Sequence, residues 1–291
     1  ERYVAEHMHP QFKDLVMRYN PDIMWGDGEW AMASEAWRTP ELMSWLFNES
    51  SVKDTVVIND RWGKETRHNH GGYYTTEYGA EVLDKPWEEC RGMGFSFGYN
   101  RNEDAEDYNS PRSLVLMLVD IVSNGGALLL DIGPDGRGRI PVIMQERLLQ
   151  IGKWLELNGE AIYGTRKWDV PCQWSEGKQD YKPEKSNYLS GDLILKLTVD
   201  PEPGYAVKEA IFTRKDSTLF AIAPQWPGKA LTLQGIQGKT DTEVTLLATG
   251  ETLKWENKGD DLVIALPDYD PNKFTAEANY AYAFKITGAA E

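Results

Sequence analysis

Cysteine is scarce in this sequence, because Cys90 and Cys172 are the only two among 291 residues. Two thiols cannot build a disulfide framework, and they are too few for a zinc site made of thiolates. We therefore interpret both as free thiols. Long apolar runs are missing as well, since no stretch reaches the roughly 18 residues that a membrane-spanning helix requires.

Basic residues are outnumbered by acidic ones. The 31 Lys and Arg residues against 46 Asp and Glu residues give a formal net charge of −15. A charge of this sign repels phosphate backbones and anionic membrane surfaces. The composition therefore argues against a nucleic-acid partner.

Several well-known catalytic motifs are also missing. The sequence contains no G-x-S-x-G, no G-x-x-x-x-G-K-[ST], no G-x-G-x-x-G and no H-E-x-x-H. It does contain many carboxylates, 11 Trp and 14 Tyr residues. Carboxylates that act in pairs, together with aromatic rings that pack on sugar faces, are typical of glycoside hydrolases.

The first part of the chain alternates helices with short apolar runs. Apolar residues recur at helical spacing within residues 8–19, and Ser110-Pro111 is a typical helix start that opens a second helix. A third helix is predicted from Pro141 to about Leu157. The apolar runs, which are too short for helices, lie at residues 22–25, 55–60, 94–100 and 127–132.

This alternation predicts parallel strands that are covered by helices. Four strands are half of an eight-stranded (β/α)8 barrel, which needs about 250 residues on its own. After Trp168 the pattern changes to alternating apolar and polar residues separated by Gly, Asp and Pro turns, which indicates an antiparallel β-sandwich. We therefore predict part of a barrel over residues 1–168 and a sandwich domain over residues 169–291.

Polar residues follow three of the predicted strands. Asp27 follows "DIMWG", Asn59-Asp60-Arg61 follows "VVI", and Phe97 to Asn100 follow "GFS", so all three clusters would lie at the carboxyl ends of parallel strands, where active sites of such sheets form. Each also has an ordinary structural interpretation. Asp27-Gly28 is a common turn sequence, and Asp60-Arg61 fits an ion pair at a strand end. His68 and His70 have no third ligand at metal-like spacing, so a solvated loop is the simpler reading.

Six motifs, in order, resemble one known family. They are "YNPDIMWGDGEW", "NDRWG", "GGYYTTEYG", "KPWEECRGMGFSFGYNRNE", "GGALLLDIGPDGRGRIP" and "GEAIYGT". This series is similar to the retaining α-L-fucosidases of glycoside hydrolase family 29 and covers roughly residues 1–168. The tail resembles the C-terminal β-sandwich of that family.

The resemblance implies a function and site residues. It implies release of terminal α-L-fucose from fucosylated glycans, without metal or organic cofactor, through a covalent fucosyl-enzyme. Asp27 matches the nucleophile of the family, Trp25 a tryptophan of the substrate pocket, and Arg61 an arginine beside the nucleophile. Phe97 matches an aromatic residue that packs on the methyl side of fucose.

The general acid/base has two candidates. Glu77 of "TTEYG" matches the bacterial pattern of the family, and Glu88 of "KPWEE" is the competing residue. The proton donor needs an environment that raises its pKa, whereas the nucleophile must be ionised. Glu29, two residues after Asp27, is interpreted as a support for the loop.

The motifs begin in the middle of the family's barrel. Upstream strands of the family carry histidines and a tryptophan that bind the sugar hydroxyls. This sequence does not contain those motifs. Two explanations stay open: the sequence is part of a longer polypeptide, or the chain completes its barrel by forming a homo-oligomer or by pairing with another chain. A rival interpretation is a non-catalytic carbohydrate-binding or structural fragment, whose working part would be the sandwich with Trp226 and Trp255. The family resemblance also implies a secreted, periplasmic or lysosomal location.

Overall fold

The computed structural model of the chain describes residues 2–77, 83–182 and 190–289. It forms two compact units, Glu1–Cys90 and Arg91–Glu291. In these described ranges no helix has both the length and the apolar character needed to cross a lipid bilayer. The domain boundary between residues 168 and 169 stays a prediction.

The described residues of the first unit form three α-helices. α1 (His9–Tyr19) has a proline in its first turn and ends at Asn20, whose left-handed backbone (φ 45°) closes the helix in the way that Asn and Gly allow. α2 (Ser34–Trp37) is a single turn, and α3 (Thr39–Asn48) again begins with a proline in its first turn. A π-helical turn, Val4–Met8, and a 3₁₀ turn, Glu29–Ala31, complete the helical segments.

Short parallel strands carry the loops of the candidate site. β1 (Ile23–Met24) pairs in parallel with β2 (Val57–Ile58), and Met24 lies opposite Ile58. β3 (Tyr74–Glu77) pairs in parallel with β4 (Trp87–Gly92). Apolar side chains from α1, α3, the first two strands and the turn between α3 and β2 form the core of this unit: Val16, Met24, Leu46, Val52, Val56 and Ile58.

Two sequence predictions about this region need correction. The strand predicted at residues 94–100 is wrong, because residues 93–98 form consecutive bends and the strand lies just before them, as β4. The four-stranded half of a (β/α)8 barrel is not confirmed, since β1 and β2 form a sheet of two strands. The parallel direction of the strands agrees with the prediction.

The second unit begins with helices around one strand. Ser110 caps α4 (Pro111–Ser123) by accepting a hydrogen bond from the Ser113 backbone N–H at 3.1 Å. β5 (Gly126–Asp131) and α5 (Val142–Asn158) follow, as the sequence predicts, and α6 (Ser190–Lys196) comes later. The 3₁₀ turns of this unit are Ala105–Asp107, Gly159–Ala161, Pro271–Lys273 and Glu277–Tyr280.

Two antiparallel sheets form the C-terminal part, as the sequence predicts. The larger sheet has the strand order β11-β10-β14-β8-β7-β6, and the smaller one has the order β12-β13-β9. Their bounds are β6 Arg166–Trp174, β7 Lys208–Lys215, β8 Thr218–Ala223, β9 Ala230–Leu233, β10 Val244–Leu246, β11 Glu251–Leu253, β12 Trp255–Lys258, β13 Asp261–Ala265 and β14 Tyr282–Ile286.

Both faces of the larger sheet are buried. Along β8, Leu219 and Ala221 belong to the core shared with the smaller sheet, whereas Phe220 and Ile222 belong to a second core with residues of α4 and α5. Trp154 of α5 is fully buried in that second core, and its indole N–H donates to the Ala281 carbonyl at 2.9 Å. Because successive side chains of a strand point to opposite faces of the sheet, β8 contributes alternate residues to two cores.

Candidate active site

The ends of β1 and β2 are joined by a reciprocal pair of hydrogen bonds. The Gly26 N–H donates to Asn59 Oδ1 at 3.0 Å, and Asn59 Nδ2 donates to the Gly26 carbonyl at 2.9 Å. A side chain at position 26 would meet the Arg61 carbonyl oxygen at 2.5 Å, so this position requires glycine. The close approach of the two loops places Asp27 next to Arg61.

Arg61 is the centre of the site. Its side chain is only 2% exposed, and its Nη1 donates to Asp27 Oδ1 at 3.0 Å while its Nη2 lies 2.5 Å from Glu77 Oε1. Its Nε donates to Thr75 Oγ1 at 2.7 Å. Burial alone would lower the pKa of Arg61, but the carboxylates of Glu77 and Asp27 outweigh it and raise that pKa. The guanidinium therefore stays charged and holds both carboxylates.

A buried aspartate fixes the loop that carries Arg61. Asp60 is completely buried, and its carboxylate accepts hydrogen bonds from the His68 N–H at 2.8 Å and from the Thr75 hydroxyl at 2.7 Å. These bonds join the end of β2 to β3. His68 also contacts the Thr75 carbonyl through Nε2 at 2.9 Å, so its ring has a structural partner.

Trp25 and Glu88 join the loop after β1 to strand β4. The Trp25 indole N–H donates to Glu88 Oε1 at 2.8 Å, and the Arg61 guanidinium carbon lies 4.5 Å from the centre of the Trp25 ring. Burial raises the pKa of Glu88 above its ordinary value, although the Trp25 hydrogen bond and the charge of Arg61 act in the opposite direction. Glu88 therefore has one property that a general acid needs.

Sequence reasoning missed one residue of this cluster. Arg67 Nη2 lies 3.3 Å from Glu77 Oε1, and its Nη1 lies 3.6 Å from Glu29 Oε1. Arg67 belongs to an irregular loop, residues 61–73, whose polar composition gives no periodic signal. Glu29, which the sequence suggests is a support for its loop, is buried.

Within the first unit the structure brings together Trp25, Asp27, Arg61, Glu77 and Glu88. Tyr78 and Gly79 of the motif that contains Glu77 lie outside the described residues. Phe97 belongs to the second unit, where its side chain is about half exposed.

A cavity of about 420 Å³ lies beside the nucleophile candidate in the first unit. Asp27, Trp25 and Arg61 contribute to its wall together with apolar side chains such as Phe12 and Trp62. An apolar concave site with a few convergent polar groups is the common form of a small-ligand site.

Comparison with known proteins identifies the family. The family described as alpha-L-fucosidase matches residues 1–160, and its C-terminal domain matches residues 206–287. An α-L-fucosidase of Dictyostelium discoideum is 46% identical over 300 residues, which cover 98% of this chain and 57% of that protein. Human tissue α-L-fucosidase is 36% identical over 294 residues, which cover 99% of this chain and 56% of that protein.

Solved structures agree with these relatives. An α-fucosidase of Thermotoga maritima, in complex with a mechanism-based inhibitor, matches with a TM-score of 0.71 at 31% identity and covers 97% of this chain and 56% of that one. Isoenzyme 1 of Paenibacillus thiaminolyticus has a TM-score of 0.72 at 22% identity over 98% of this chain and 62% of that one, which supports the fold alone. This chain spans about half the length of the curated relatives it matches. From the family match over residues 1–160 and these identities, the chain belongs to the α-L-fucosidases of glycoside hydrolase family 29.

Proposed function

We propose that this chain carries the catalytic carboxylates of a retaining exo-α-L-fucosidase. The observation that supports this most is the single guanidinium of Arg61, which contacts both Asp27 and Glu77. Retaining glycosidases need two carboxyl groups about 5 Å apart, one as nucleophile and one as acid/base. A shared guanidinium keeps two carboxylates at a short and fixed separation.

In the first step Asp27 attacks the anomeric carbon while Glu77 gives its proton to the leaving oxygen. The bond between the anomeric carbon and that oxygen breaks, and an ester forms between the sugar and Asp27. In the second step Glu77 takes a proton from water, the water oxygen attacks the same carbon, and Asp27 leaves as a carboxylate. Arg61 orients Asp27 through the hydrogen bond to its carboxylate.

Aromatic side chains would select the sugar. Trp25 lines the cavity beside Asp27, and an indole face suits the apolar side of a sugar ring. We assign to Phe97 the contact with the methyl group of the 6-deoxy sugar. Fucose is the sugar bound in one matching structure of the Thermotoga maritima enzyme.

Glu88 remains the alternative acid/base. Burial raises the pKa of Glu88, which a proton donor requires, whereas the contact of Glu77 with the same Arg61 guanidinium that binds Asp27 supports Glu77. Glu77→Ala and Glu88→Ala should be compared on aryl α-L-fucosides with good and poor leaving groups, with and without azide. We expect Glu77→Ala to lose activity mainly on the poor leaving group and to regain turnover with azide, giving α-fucosyl azide because azide attacks the β-linked fucosyl-enzyme. Rescue of Glu88→Ala alone would transfer the role to Glu88.

Asp27→Ala tests the nucleophile. This variant should lose nearly all activity on an aryl α-L-fucoside, and the matched variant Asp14→Ala, on the exposed face of α1, should keep it. Wild-type rates in Asp27→Ala would refute the assignment.

The alternative of a purely carbohydrate-binding fragment has less support. Trp226 and Trp255, which motivated it, both pack against the core between the two sheets. Trp226 makes edge contacts with Phe274 and Tyr282, and the Trp255 indole N–H donates to the Thr242 carbonyl at 3.1 Å. These rings serve the packing of the sandwich. A secreted, periplasmic or lysosomal location, and assembly with a further chain or segment, remain proposals.

A further inference from the structure

A second guanidinium extends the site beyond Arg61. Arg67 contacts Glu77 through Nη2 at 3.3 Å and approaches Glu29 through Nη1 at 3.6 Å. The Arg67 side chain is about one-third exposed, whereas the Glu29 side chain is 2% exposed. One arginine thus spans the proposed proton donor and a buried carboxylate.

Burial of the Glu29 carboxylate is energetically unfavourable. Its Oε2 is buried with no hydrogen-bond partner in the described residues, and its Oε1 is too far from Arg67 for a hydrogen bond. A buried carboxylate loses its hydration and regains it only in part from such a contact. Because its contacts compensate so little of this cost, the stability of the fold does not explain why Glu29 is buried.

We propose that Glu29 and Arg67 form a charge pair that positions Glu77 and sets its proton affinity for catalysis. The inference rests on the proposed role of Glu77 as acid/base. A guanidinium beside a carboxylate favours the ionised form, which a proton donor must avoid in the first step. The negative charge of Glu29 offsets the positive charge of Arg67 beside Glu77. Glu29 and Arg67 are positioning residues that act through Glu77.

Other charged and titratable groups face Glu77 from the neighbouring elements. Arg61 reaches it from the end of β2 and pairs with Asp27 at the same time. Cys90 lies opposite Glu77 in the register of β3 and β4, and burial raises the pKa of its thiol to about 12, so the thiol is neutral. The remaining charged groups on β4 are Glu88, Glu89 and Arg91. Substitutions at Glu29 and Arg67 leave all of these groups in place.

The pH dependence of kcat/KM tests the proposal. The probe is an aryl α-L-fucoside with a poor leaving group, because its hydrolysis depends on a protonated donor and kcat/KM therefore falls as pH rises through the pKa of that donor. This fall of kcat/KM at high pH is the basic limb of the profile. Glu29→Gln should move the limb down by about half to one pH unit, because the positive charge of Arg67 is then no longer offset by Glu29. Arg67→Gln should move it up by about one unit, and the double variant should return close to the wild-type limb.

Two control variants accompany the single and double variants of Glu29 and Arg67. Arg67→Lys keeps the positive charge, so its limb should stay near that of the wild type. Glu49→Gln removes the same charge as Glu29→Gln from an exposed position of the first unit and should leave the limb unchanged. Melting curves of every variant show whether it is folded. If Glu29→Gln does not fold, Arg67→Gln carries the test alone.

The outcomes separate this inference from the function on which it rests. Opposite shifts that cancel in the double variant support the pair. An active enzyme in which Arg67→Gln keeps the wild-type limb, or in which both single variants shift the limb in one direction, overturns the pair. A wild-type protein without fucosidase activity overturns the proposed function instead, and rescue by azide in Glu88→Ala overturns the role of Glu77.

Discussion

Replacing Arg61 with lysine should separate the charge of this residue from its geometry. The guanidinium contacts Asp27 at 3.0 Å, Glu77 at 2.5 Å and Thr75 at 2.7 Å, and its Nη2 also donates to Cys90 Sγ at 3.8 Å. A lysine ammonium keeps the positive charge but lacks the planar fork that fixes two carboxylates at once. In Arg61→Lys, at least one of the two carboxylates should therefore lose its contact with residue 61.

The size of the effect follows from burial. Hydrogen bonds to charged groups contribute about 1.5–3 kcal/mol when they are protected from water. The Asp27 side chain is 54% exposed and the Glu77 side chain 35% exposed, so solvent screening reduces each contribution to about 1 kcal/mol. Loss of one carboxylate contact and of the Thr75 contact should lower the free energy of unfolding by about 2 kcal/mol. A displacement of the nucleophile by about 1 Å should lower kcat/KM about 100-fold.

Urea unfolding and steady-state kinetics on an aryl α-L-fucoside measure the two effects. Arg18→Lys is the matched control, since Arg18 forms an exposed ion pair with Asp14 on α1, and this variant should keep the wild-type stability and rate. Arg61→Lys with kcat/KM within about threefold of the wild type would refute the reasoning that the fork itself positions the carboxylates.

Three further predictions concern stability. Burial raises the pKa of Glu88 in the folded state, so the carboxyl favours folding below its unfolded value of 4.5 and this contribution is lost as pH rises through the folded pKa. Glu88→Gln should therefore unfold at higher urea than the wild type at pH 7 and show no such gain at pH 4. Trp154→Ala should cost about 3–5 kcal/mol in chemical unfolding, because it empties the core beside the larger sheet and removes the donor to Ala281; a cost below about 1 kcal/mol would contradict that packing. Ser110→Ala should cost about 1 kcal/mol through loss of the α4 cap, whereas Ser110→Asp should cost little.

Part of the fold could be predicted from the sequence because local signals were strong. The Ser110-Pro111 cap, the helical periodicity of α1 and the apolar runs of β1, β2 and β5 all depend on residues close in sequence. The alternation of the C-terminal strands likewise predicted the antiparallel sheets. Local signals of this kind do not need knowledge of distant partners.

The errors have a physical cause in residues 87–100. β4 contains buried charged residues, including Glu89 and Arg91, and a pattern that treats charges as exposed does not identify such a strand. The segment after it alternates aromatic and polar residues as a strand would, but Gly98 has φ 78° and the Ser96 N–H donates to the Glu103 carboxylate at 2.7 Å. These long-range and backbone effects bend the chain.

In the candidate site, too, some residues could be predicted from the sequence and others could not. Asp27 and Arg61 could be predicted to lie together because both follow parallel strands, and the resemblance to a known family added Glu77 and Trp25. Arg67 could not be predicted, because its contacts depend on the path of an irregular loop and no spacing in the sequence records it.

The most direct test of the account is to trap the glycosyl-enzyme. A 2-deoxy-2-fluoro-α-L-fucosyl donor with a good leaving group forms the covalent intermediate and slows its hydrolysis, and peptide mass spectrometry locates the label. The account predicts one fucosyl adduct, on the peptide that contains Asp27, and none in Asp27→Ala. An adduct on Glu77 or Glu88, or complete turnover of the donor with no labelled peptide, would contradict the assignment of Asp27 as the nucleophile.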